Sequence, residues 1–231
     1  MTNNELKEII KLKQKKYRYE YNKYLIEGSK IINEALSNHE DLIIYTIDKN
    51  KEGIFISKDE MKKIVTTETL VDQIGIVKMK NKKEISSDVI ALDNVQDPGN
   101  LGTLIRSAVA FGYKDMILEN CVDPYNPKVI RSSKGAIFRI NLIQDRINNY
   151  INKYYTIGTT VKNALELNKF KLNLDNTKYK NYILILGNEA NGINNDLLSK
   201  TDINIYIKTN MESLNVGVAG SIIMYELKKR G

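Results

Sequence analysis

Residues 92–113 read LDNVQDPGNLGTLIRSAVAFGY, a turn-forming run followed by an arginine at position 106. A glycine-rich turn that leads into a helix presents free backbone N–H groups and a partial positive charge, which suit an anion. The turn contains Gly99 and Gly102 but not the third glycine of a dinucleotide-binding loop. It is also not followed by the Gly-Lys-Ser/Thr of a P-loop. In the alternative interpretation, Pro98 opens a helix and the glycines only shape a strand-to-helix turn.

Two later loops combine glycine with polar residues in a similar way. The segment LILGNEANGI places Gly187, Glu189 and Gly192 after an apolar strand, where a carboxylate can bind a ligand that approaches the bare backbone. The segment MESLNVGVAGSIIMYE places Ser213 and Asn215 at the start of a helix, whose first N–H groups are free to bind polar ligand atoms. The alternative for the second loop is a turn with a helix cap, and the small residues of the third loop permit close backbone packing. Either loop alone is weak evidence.

The elements that must position these loops form a predicted α/β domain with a mostly parallel sheet flanked by helices. Apolar strands are predicted at 89–93, 115–119, 154–160, 182–187 and 203–207, with helices at 98–111 and 214–229. In such sheets ligands bind beyond the carboxyl ends of the strands, where all three loops lie. The sequence therefore predicts one composite site.

Residues 1–85 read as a separate, small α/β domain of short alternating elements. A polar helix is followed by predicted strands at 24–28, 41–47, 53–57 and 75–80 and by a helix at 29–36. Ser57 and Glu60 have capping-box spacing and predict a further helix. The polar stretch 80–88 is the predicted linker, which divides the chain into domains 1–85 and 86–231.

The composition excludes several classes of protein. Among 231 residues there are one cysteine, Cys121, and one histidine, His39, so an internal disulfide framework, a zinc cluster and a histidine-based triad are not expected. No N-terminal apolar leader and no apolar span of about 20 residues is present. We therefore expect a cytoplasmic protein without a metal or a membrane partner.

The charge distribution favours an acidic partner. The formal net charge is +7, and residues 11–23 carry six basic residues against the single acid Glu20. Three tyrosines alternate with these cations, and tyrosine can stack on exposed bases while the cations contact phosphates. The predicted RNA contacts are Lys13, Lys15, Lys16, Arg18 and, outside this segment, Arg131. The alternative is a solvated, lysine-rich helix.

Taken together and in this order, the segments DNVQDPGNLGTLIRSA, LGNEANGI and ESLNVGVAGSIIMYE resemble the three signature motifs of the SpoU (TrmH-like) RNA methyltransferases of the SPOUT superfamily. The resemblance covers residues 88–231, and the segment that begins at Lys15 resembles the start of a small substrate-binding domain. The resemblance implies S-adenosylmethionine as cofactor and methylation of a ribose 2′-hydroxyl, with ribosomal RNA favoured over transfer RNA. It also implies a homodimer formed by the C-terminal domain and a deep trefoil knot.

Residue by residue, the resemblance assigns catalytic roles to Arg106, Asn100, Glu189, Ser213 and Asn215. It assigns cofactor contacts to Thr159, Gly187, Ile205, Ile207, Leu214, Val216 and Ala219. The segment IYIKTN departs from the family pattern, because Tyr206, Ile207 and Thr209 replace the usual residue types. Arginine is too weak a base to deprotonate a hydroxyl at neutral pH unaided, so Arg106 is either an assisted base or an electrostatic stabiliser. Structurally, it could instead pair with a motif carboxylate.

Two other functions remain compatible with these residues. One is a knotted methyltransferase that acts on an RNA base, and the other is a non-catalytic RNA-binding factor in ribosome assembly. A nucleotide hydrolase is not expected, since no metal-binding Ser/Thr or Asp pair follows the glycine turn.

Overall fold

The computed structural model describes residues 1–81, 84, 85, 87–175, 177–188, 190–211 and 213–230. The chain divides into two compact units, of which the first contains residues 1–81 and 125–138 and the second contains residues 82–124 and 139–231. The predicted linker at 80–88 coincides with the first crossing between the units. It does not anticipate the return of residues 125–138 to the first unit.

The elements are numbered in chain order within the described residues. The helices are α1 (Asn3–Lys11), α2 (Lys15–Tyr21), α3 (Ser29–Ser37), α4 (Lys58–Ile64), α5 (Pro98–Ala110), α6 (Pro127–Ser133), α7 (Asn195–Leu198) and α8 (Val216–Arg230). The strands are β1 (Lys23–Glu27), β2 (Leu42–Thr46), β3 (Ile54–Phe55), β4 (Gln73–Lys78), β5 (Val89–Asp93), β6 (Asp115–Glu119), β7 (Asn141–Gln144), β8 (Tyr155–Thr159), β9 (Leu165–Glu166), β10 (Tyr182–Leu186) and β11 (Ile203–Tyr206). Short 3-10 helices lie at Ala136–Arg139, Ile147–Asn149 and Ile151–Lys153. No helix in the described part of the chain is long and apolar enough to cross a membrane.

The first unit is built on a sheet of order β1-β4-β2-β3, in which β4 runs antiparallel to both of its neighbours. The predicted capping box of α4 is confirmed. The backbone N–H of Glu60 donates to Ser57 Oγ at 3.2 Å, and the Glu60 carboxylate accepts from the Ser57 N–H at 2.8 Å. This reciprocal pairing fixes the start of α4, whose apolar residues Met61 and Ile64 are fully buried in the core of the unit.

The returning segment 125–138 packs as part of the first unit. Its helix α6 begins with Pro127 in the first turn and with Asn126 as the cap, whose Oδ1 accepts from the backbone N–H of Lys128 at 2.9 Å. The Tyr125 ring lies 4.6 Å from the Tyr24 ring, and Val129 in α6 is completely buried. The first unit therefore needs residues from beyond the linker to complete its core.

The second unit contains a sheet of order β7-β6-β5-β10-β8-β11-β9, in which all recorded strand pairs are parallel. Every residue of β5 and β10 is buried, as expected for central strands covered on both faces. The predicted α/β fold with a mostly parallel sheet is confirmed. The edge strands β7 and β9 are not predicted from the sequence, and the trefoil knot stays a prediction.

Helices α5 and α8 pack closely in this unit. A Cβ atom on Gly220 would lie 2.5 Å from Leu104 Cδ2 and 2.7 Å from Leu186 Cδ1, so a larger residue would force these leucine side chains to move. Ser107 Oγ and Ser221 Oγ are hydrogen-bonded at 2.6 Å across the same contact. The small residues Gly220 and Ser221 of the third motif therefore lie where α8 packs closely against α5.

Candidate functional site

The first and second polar loops meet at the carboxyl edge of the sheet. Asn94 follows β5 with a left-handed backbone (φ 58°), a conformation that asparagine tolerates better than most residues. Its carbonyl accepts from the Asn188 side-chain amide at 2.9 Å. The backbone of Asn188 is bridged to Gly192 by two hydrogen bonds of 3.0 and 2.9 Å. The second loop is thus a tight turn fastened to the first.

Gly187 is required by this turn. A Cβ atom there would lie 2.2 Å from both the carbonyl carbon of Gly192 and the nitrogen of Ile193. Backbone atoms cannot move aside as the end of a flexible side chain can, so any larger residue would displace the turn. Glu189, to which the resemblance gives a catalytic role, lies outside the described residues.

The first and third motifs are joined by two asparagines. The Asn215 side-chain amide donates to Asn100 Oδ1 at 2.9 Å. Asn215 Oδ1 also accepts from the backbone N–H groups of Gly217 and Val218, at 3.0 and 3.2 Å, and so caps α8. This cap explains why α8 begins two residues later than the predicted helix. Ser213, in the same motif, is exposed.

Arg106 lies on α5, six residues after Asn100 and therefore about 9 Å further along the helix axis. Its side chain is exposed. No hydrogen bond or ion pair of Arg106 is found with any residue that the structure describes. The carboxylates of the second and third motifs, Glu189 and Glu212, lie outside the described residues, so the alternative in which Arg106 pairs with a motif carboxylate stays a prediction.

The residues assigned to the cofactor follow three adjacent strands. Thr159 ends β8 and donates from Oγ1 to the Ile185 carbonyl of β10 at 3.0 Å, while the neighbouring Thr160 N–H donates to the Ile205 carbonyl of β11 at 3.1 Å. Gly187 and Ile205 are therefore brought to one edge of the sheet. The remaining residues of this set differ in exposure: Ile207, Leu214 and Ala219 are half-buried and Val216 is buried.

Of the residues that depart from the family pattern near β11, Thr209 forms a local turn. Thr209 Oγ1 accepts from the Met211 N–H at 2.8 Å and donates to the Met211 carbonyl at 2.7 Å. Met211 is 74% exposed, and Val161, in the loop after β8, is 71% exposed. These apolar side chains offer surface for a flat, weakly polar group, and the strand ends nearby offer backbone donors and acceptors. This combination fits an adenosine.

Two predicted RNA contacts in the first unit are used internally. Arg18 is only 3% exposed, and its Nη1 donates to the carbonyls of Leu12 and Lys13, both at 2.8 Å. Lys13 Nζ donates to the carbonyls of Lys63 and Val65 at 2.8 and 3.0 Å. The prediction for Arg18 is corrected, because a buried guanidinium that holds the turn between α1 and α2 cannot also reach a phosphate.

The other predicted RNA contacts are accessible to different degrees. Lys15 and Lys16 are exposed, and their Nζ atoms lie 5.9 and 5.5 Å from the ring centroids of Tyr19 and Tyr17. Arg131 is half-buried and donates to Thr66 Oγ1 at 2.9 Å. Lys15 and Lys16 therefore carry the charged surface of α2.

A cavity of about 560 Å³ opens beside the first two loops. Its lining residues are Asp93, Asn94, Asn120, Asn188, Asn191, Gly192, Ile193, Asn194 and Asn195. The sequence analysis missed Asn120, Asn194 and Asn195. Asn120 could have been found by the rule that identified Asn94, because each directly follows a central parallel strand.

Two observations on the described residues concern metal binding and nucleophilic chemistry near these loops. Burial raises the pKa of the Cys121 thiol to about 12, so the thiol stays protonated at neutral pH. Among the described residues, no group of three or more His, Cys, Asp or Glu side chains could hold a metal ion.

Comparison with known proteins gives the family. Residues 87–225 match the SpoU rRNA Methylase family, and residues 3–74 match the MRM3-like substrate binding domain. The chain is 32% identical, over 98% of its length and 96% of the relative's, to the 23S rRNA (guanosine(2553)-2′-O)-methyltransferase RlmP of Bacillus subtilis.

Two solved structures share the fold. A putative RNA methyltransferase of the TrmH family from Porphyromonas gingivalis superposes with a TM-score of 0.87 at 23% identity, covering 100% of this chain and 99% of that one. The AdoMet-bound rRNA methyltransferase from Sinorhizobium meliloti superposes with a TM-score of 0.83 at 23% identity, covering 99% of this chain and 95% of that one. With three motif loops gathered at one sheet edge and a family match over more than half its length, this chain belongs to the SpoU rRNA methylase family.

Proposed function

We propose that this chain transfers a methyl group from S-adenosylmethionine to a ribose 2′-hydroxyl of ribosomal RNA. The proposal is carried by the gathering of the three family motifs at one edge of the sheet, where Asn100 meets Asn215 and Asn94 meets Asn188. The Bacillus relative is named as a 23S rRNA methyltransferase, and this name supports ribosomal RNA as the substrate. Action on ribosomal RNA would take place in the cytoplasm.

The residues at the ends of β10, β8 and β11 would hold the cofactor, which when bound supplies an activated methyl group. Backbone groups at Gly187, Ile205 and Leu214 would bind the polar edges of the adenosine. Val161 and Met211 would cover part of its apolar surface. Because these contacts come from backbone and apolar groups, cofactor binding needs no metal ion.

Arg106 would act on the RNA rather than on the cofactor. Methylation removes the hydroxyl proton and develops negative charge on the attacking oxygen, which an exposed guanidinium can stabilise. Arg106 is exposed and has no ion pair with the described part of the chain, and in this proposal its charge acts on the RNA. Asn100 and Asn215 would hold the loop that faces the ribose.

A homodimer formed by the second unit is part of the proposal. Val218, Ile222 and Tyr225 are exposed by 49%, 39% and 48%, and their spacing of four and three residues places them on one face of α8. A row of exposed apolar side chains on a helix indicates a contact with a partner. A second copy of this chain would cover it.

The test is transfer of labelled methyl groups from S-adenosylmethionine to unmethylated 23S rRNA transcribed in vitro, with mass-spectrometric mapping of the product. We expect one ribose 2′-O-methyl group per transcript, formed equally well with a chelator present. Methylation of a base would replace the proposal by a different methyltransferase activity. Cofactor binding without any transfer to ribosomal RNA would refute the choice of substrate.

A further inference from the structure

The cavity beside the first two loops is lined mainly by side-chain amides. Among the described residues, six asparagines and the carboxylate of Asp93 contribute to its wall, and no lysine or arginine does. An amide both donates and accepts hydrogen bonds, whereas a phosphate only accepts them and carries negative charge. Asp93 would repel a phosphate. The lining therefore suits a neutral group whose edge has both donors and acceptors.

The wall of the cavity is held in place by hydrogen bonds that leave three amides, those of Asn120, Asn191 and Asn195, without a partner among the described residues. Asp93 is 6% exposed and accepts from the Asn194 N–H at 2.7 Å, and the Asn188 amide is bound to the Asn94 carbonyl. The side chains of Asn191 and Asn195 are exposed and have no hydrogen-bond partner among the described residues. A rigid wall with free amides can bind a polar ligand at a low cost in entropy.

The position of the cavity connects it with the substrate. Asn94 lines the cavity and begins the same loop that ends at Asn100, the residue in contact with Asn215. Of the residues assigned to the cofactor, Gly187 directly precedes Asn188 at the end of β10, and Thr159 and Ile205 lie on the further strands β8 and β11. A volume of about 560 Å³ is within the usual range for small-molecule sites, roughly 300–1,000 Å³.

We propose that this amide-lined cavity binds a nucleobase of the substrate RNA within a nucleotide or two of the methylated ribose. The inference rests on the proposed function for the identity of the RNA. It goes beyond that function by assigning sequence discrimination to Asn191 and Asn195. Carboxamides read base edges through paired donor and acceptor bonds, and a base that lacks the matching groups would leave them unpaired.

The test begins with the 23S rRNA transcript, on which wild-type protein identifies the methylated nucleotide. A short hairpin around that nucleotide is then made with a single abasic residue at each neighbouring position in turn. Wild-type protein, the double variant Asn191→Ala/Asn195→Ala and the control Asn149→Ala are compared. Asn149 is an exposed asparagine of the same unit that does not line the cavity.

We expect the double variant to lose about tenfold or more in kcat/KM and in RNA affinity, as removal of two hydrogen bonds implies. Its affinity for S-adenosylmethionine and its melting temperature should match those of the control. Removal of the base at one position should lower the RNA affinity of the wild type by a similar factor. It should hardly change the RNA affinity of the double variant. Such coupling at one position would identify the bound base.

Failure of this inference can be told apart from failure of the proposed function. If the wild type methylates the hairpin and the double variant behaves like Asn149→Ala, the cavity does not bind a base and only the inference falls. If the wild type transfers no methyl group, the proposed function falls. The inference is then tested by comparing the affinities of the double variant and of Asn149→Ala for the whole transcript. Equal affinities of variant and control would then overturn it.

Discussion

The Asn215 side chain bonds in two directions, to Asn100 through its amide nitrogen and to the first turn of α8 through its amide oxygen. One residue of the third motif therefore starts a helix and also holds the first motif. Loss of the Asn215 side chain should therefore affect both the stability of the fold and the geometry of the site.

Replacement of Asn215 by alanine should lower the free energy of unfolding by about 1 kcal/mol, the usual cost of losing a helix cap. Asn100→Ala removes the bond between the motifs but leaves the cap, so it should destabilise the protein less while reducing methyl transfer. Urea unfolding and single-turnover assays on the two variants check this. Equal stabilities would show that the cap contributes little.

Arg106→Ala should reduce methyl transfer by about a hundredfold or more, the scale seen when a group that stabilises developing charge is removed. Melting temperature and cofactor affinity should stay unchanged, because the side chain is exposed and unpaired within the described part of the chain. Arg106→Lys should restore only part of the activity, since an ammonium lacks the planar fork of a guanidinium.

The matched control for Arg106 is Arg146→Ala, which removes an exposed arginine elsewhere in the same unit. It should keep full activity. If both variants transfer methyl groups at the wild-type rate to the mapped RNA, Arg106 has no role in the reaction.

The charged surface of α2 should contribute to RNA affinity. The double variant Lys15→Ala/Lys16→Ala should bind RNA more weakly, and its plot of log K against log salt should be shallower by about one to two units. Lys58→Ala/Lys62→Ala removes the same charge from exposed positions on α4 and serves as the control. An identical salt slope for the two variants would mean that only total charge matters.

The exposed face of α8 should form the dimer contact. Ile222→Glu places a charge between the exposed side chains of Val218 and Tyr225. The variant should be a monomer at micromolar concentration, as measured by light scattering. Val161→Glu alters a more exposed apolar residue outside this helix and should leave the dimer intact. A wild-type monomer would remove the basis for this part of the proposal.

Gly187→Ala should be among the most damaging substitutions of the second unit. Its new methyl group would meet backbone atoms of Gly192 and Ile193 at 2.2 Å, so the turn must shift at a cost of about 1–3 kcal/mol or more. Gly217→Ala, whose nearest contact would be 3.1 Å, is the control. Urea unfolding separates the two, and similar midpoints would contradict the predicted clash.

The sequence predicts the central strands of the second unit because they are buried on both faces and therefore apolar throughout. It misses β7, because Asn141 and Gln144 give this edge strand a polar character. It misses β9, which is only two residues long. The pair Asn126–Pro127 is a helix-start signal that would have revealed α6.

Within the candidate site, local residue patterns indicate which residues belong to each loop but not which residues meet. The contact between Asn100 and Asn215 spans 115 positions of sequence, and no local pattern contains it. The reverse error occurs at Arg18, where a basic run suggests a solvent-exposed cation although the carbonyls of Leu12 and Lys13 bury it. Burial of a long polar side chain depends on tertiary packing, which composition does not reveal.

The return of residues 125–138 to the first unit has a consequence for synthesis. A chain is made from its N-terminus, and domains generally fold as units while they emerge. Here the core of the first unit is incomplete until Val129 and Ile130 have been made, by which time the residues of β5, α5 and β6 in the second unit have already been synthesised. We therefore expect the first unit to reach its final protection from proteolysis only after residue 138 has left the ribosome.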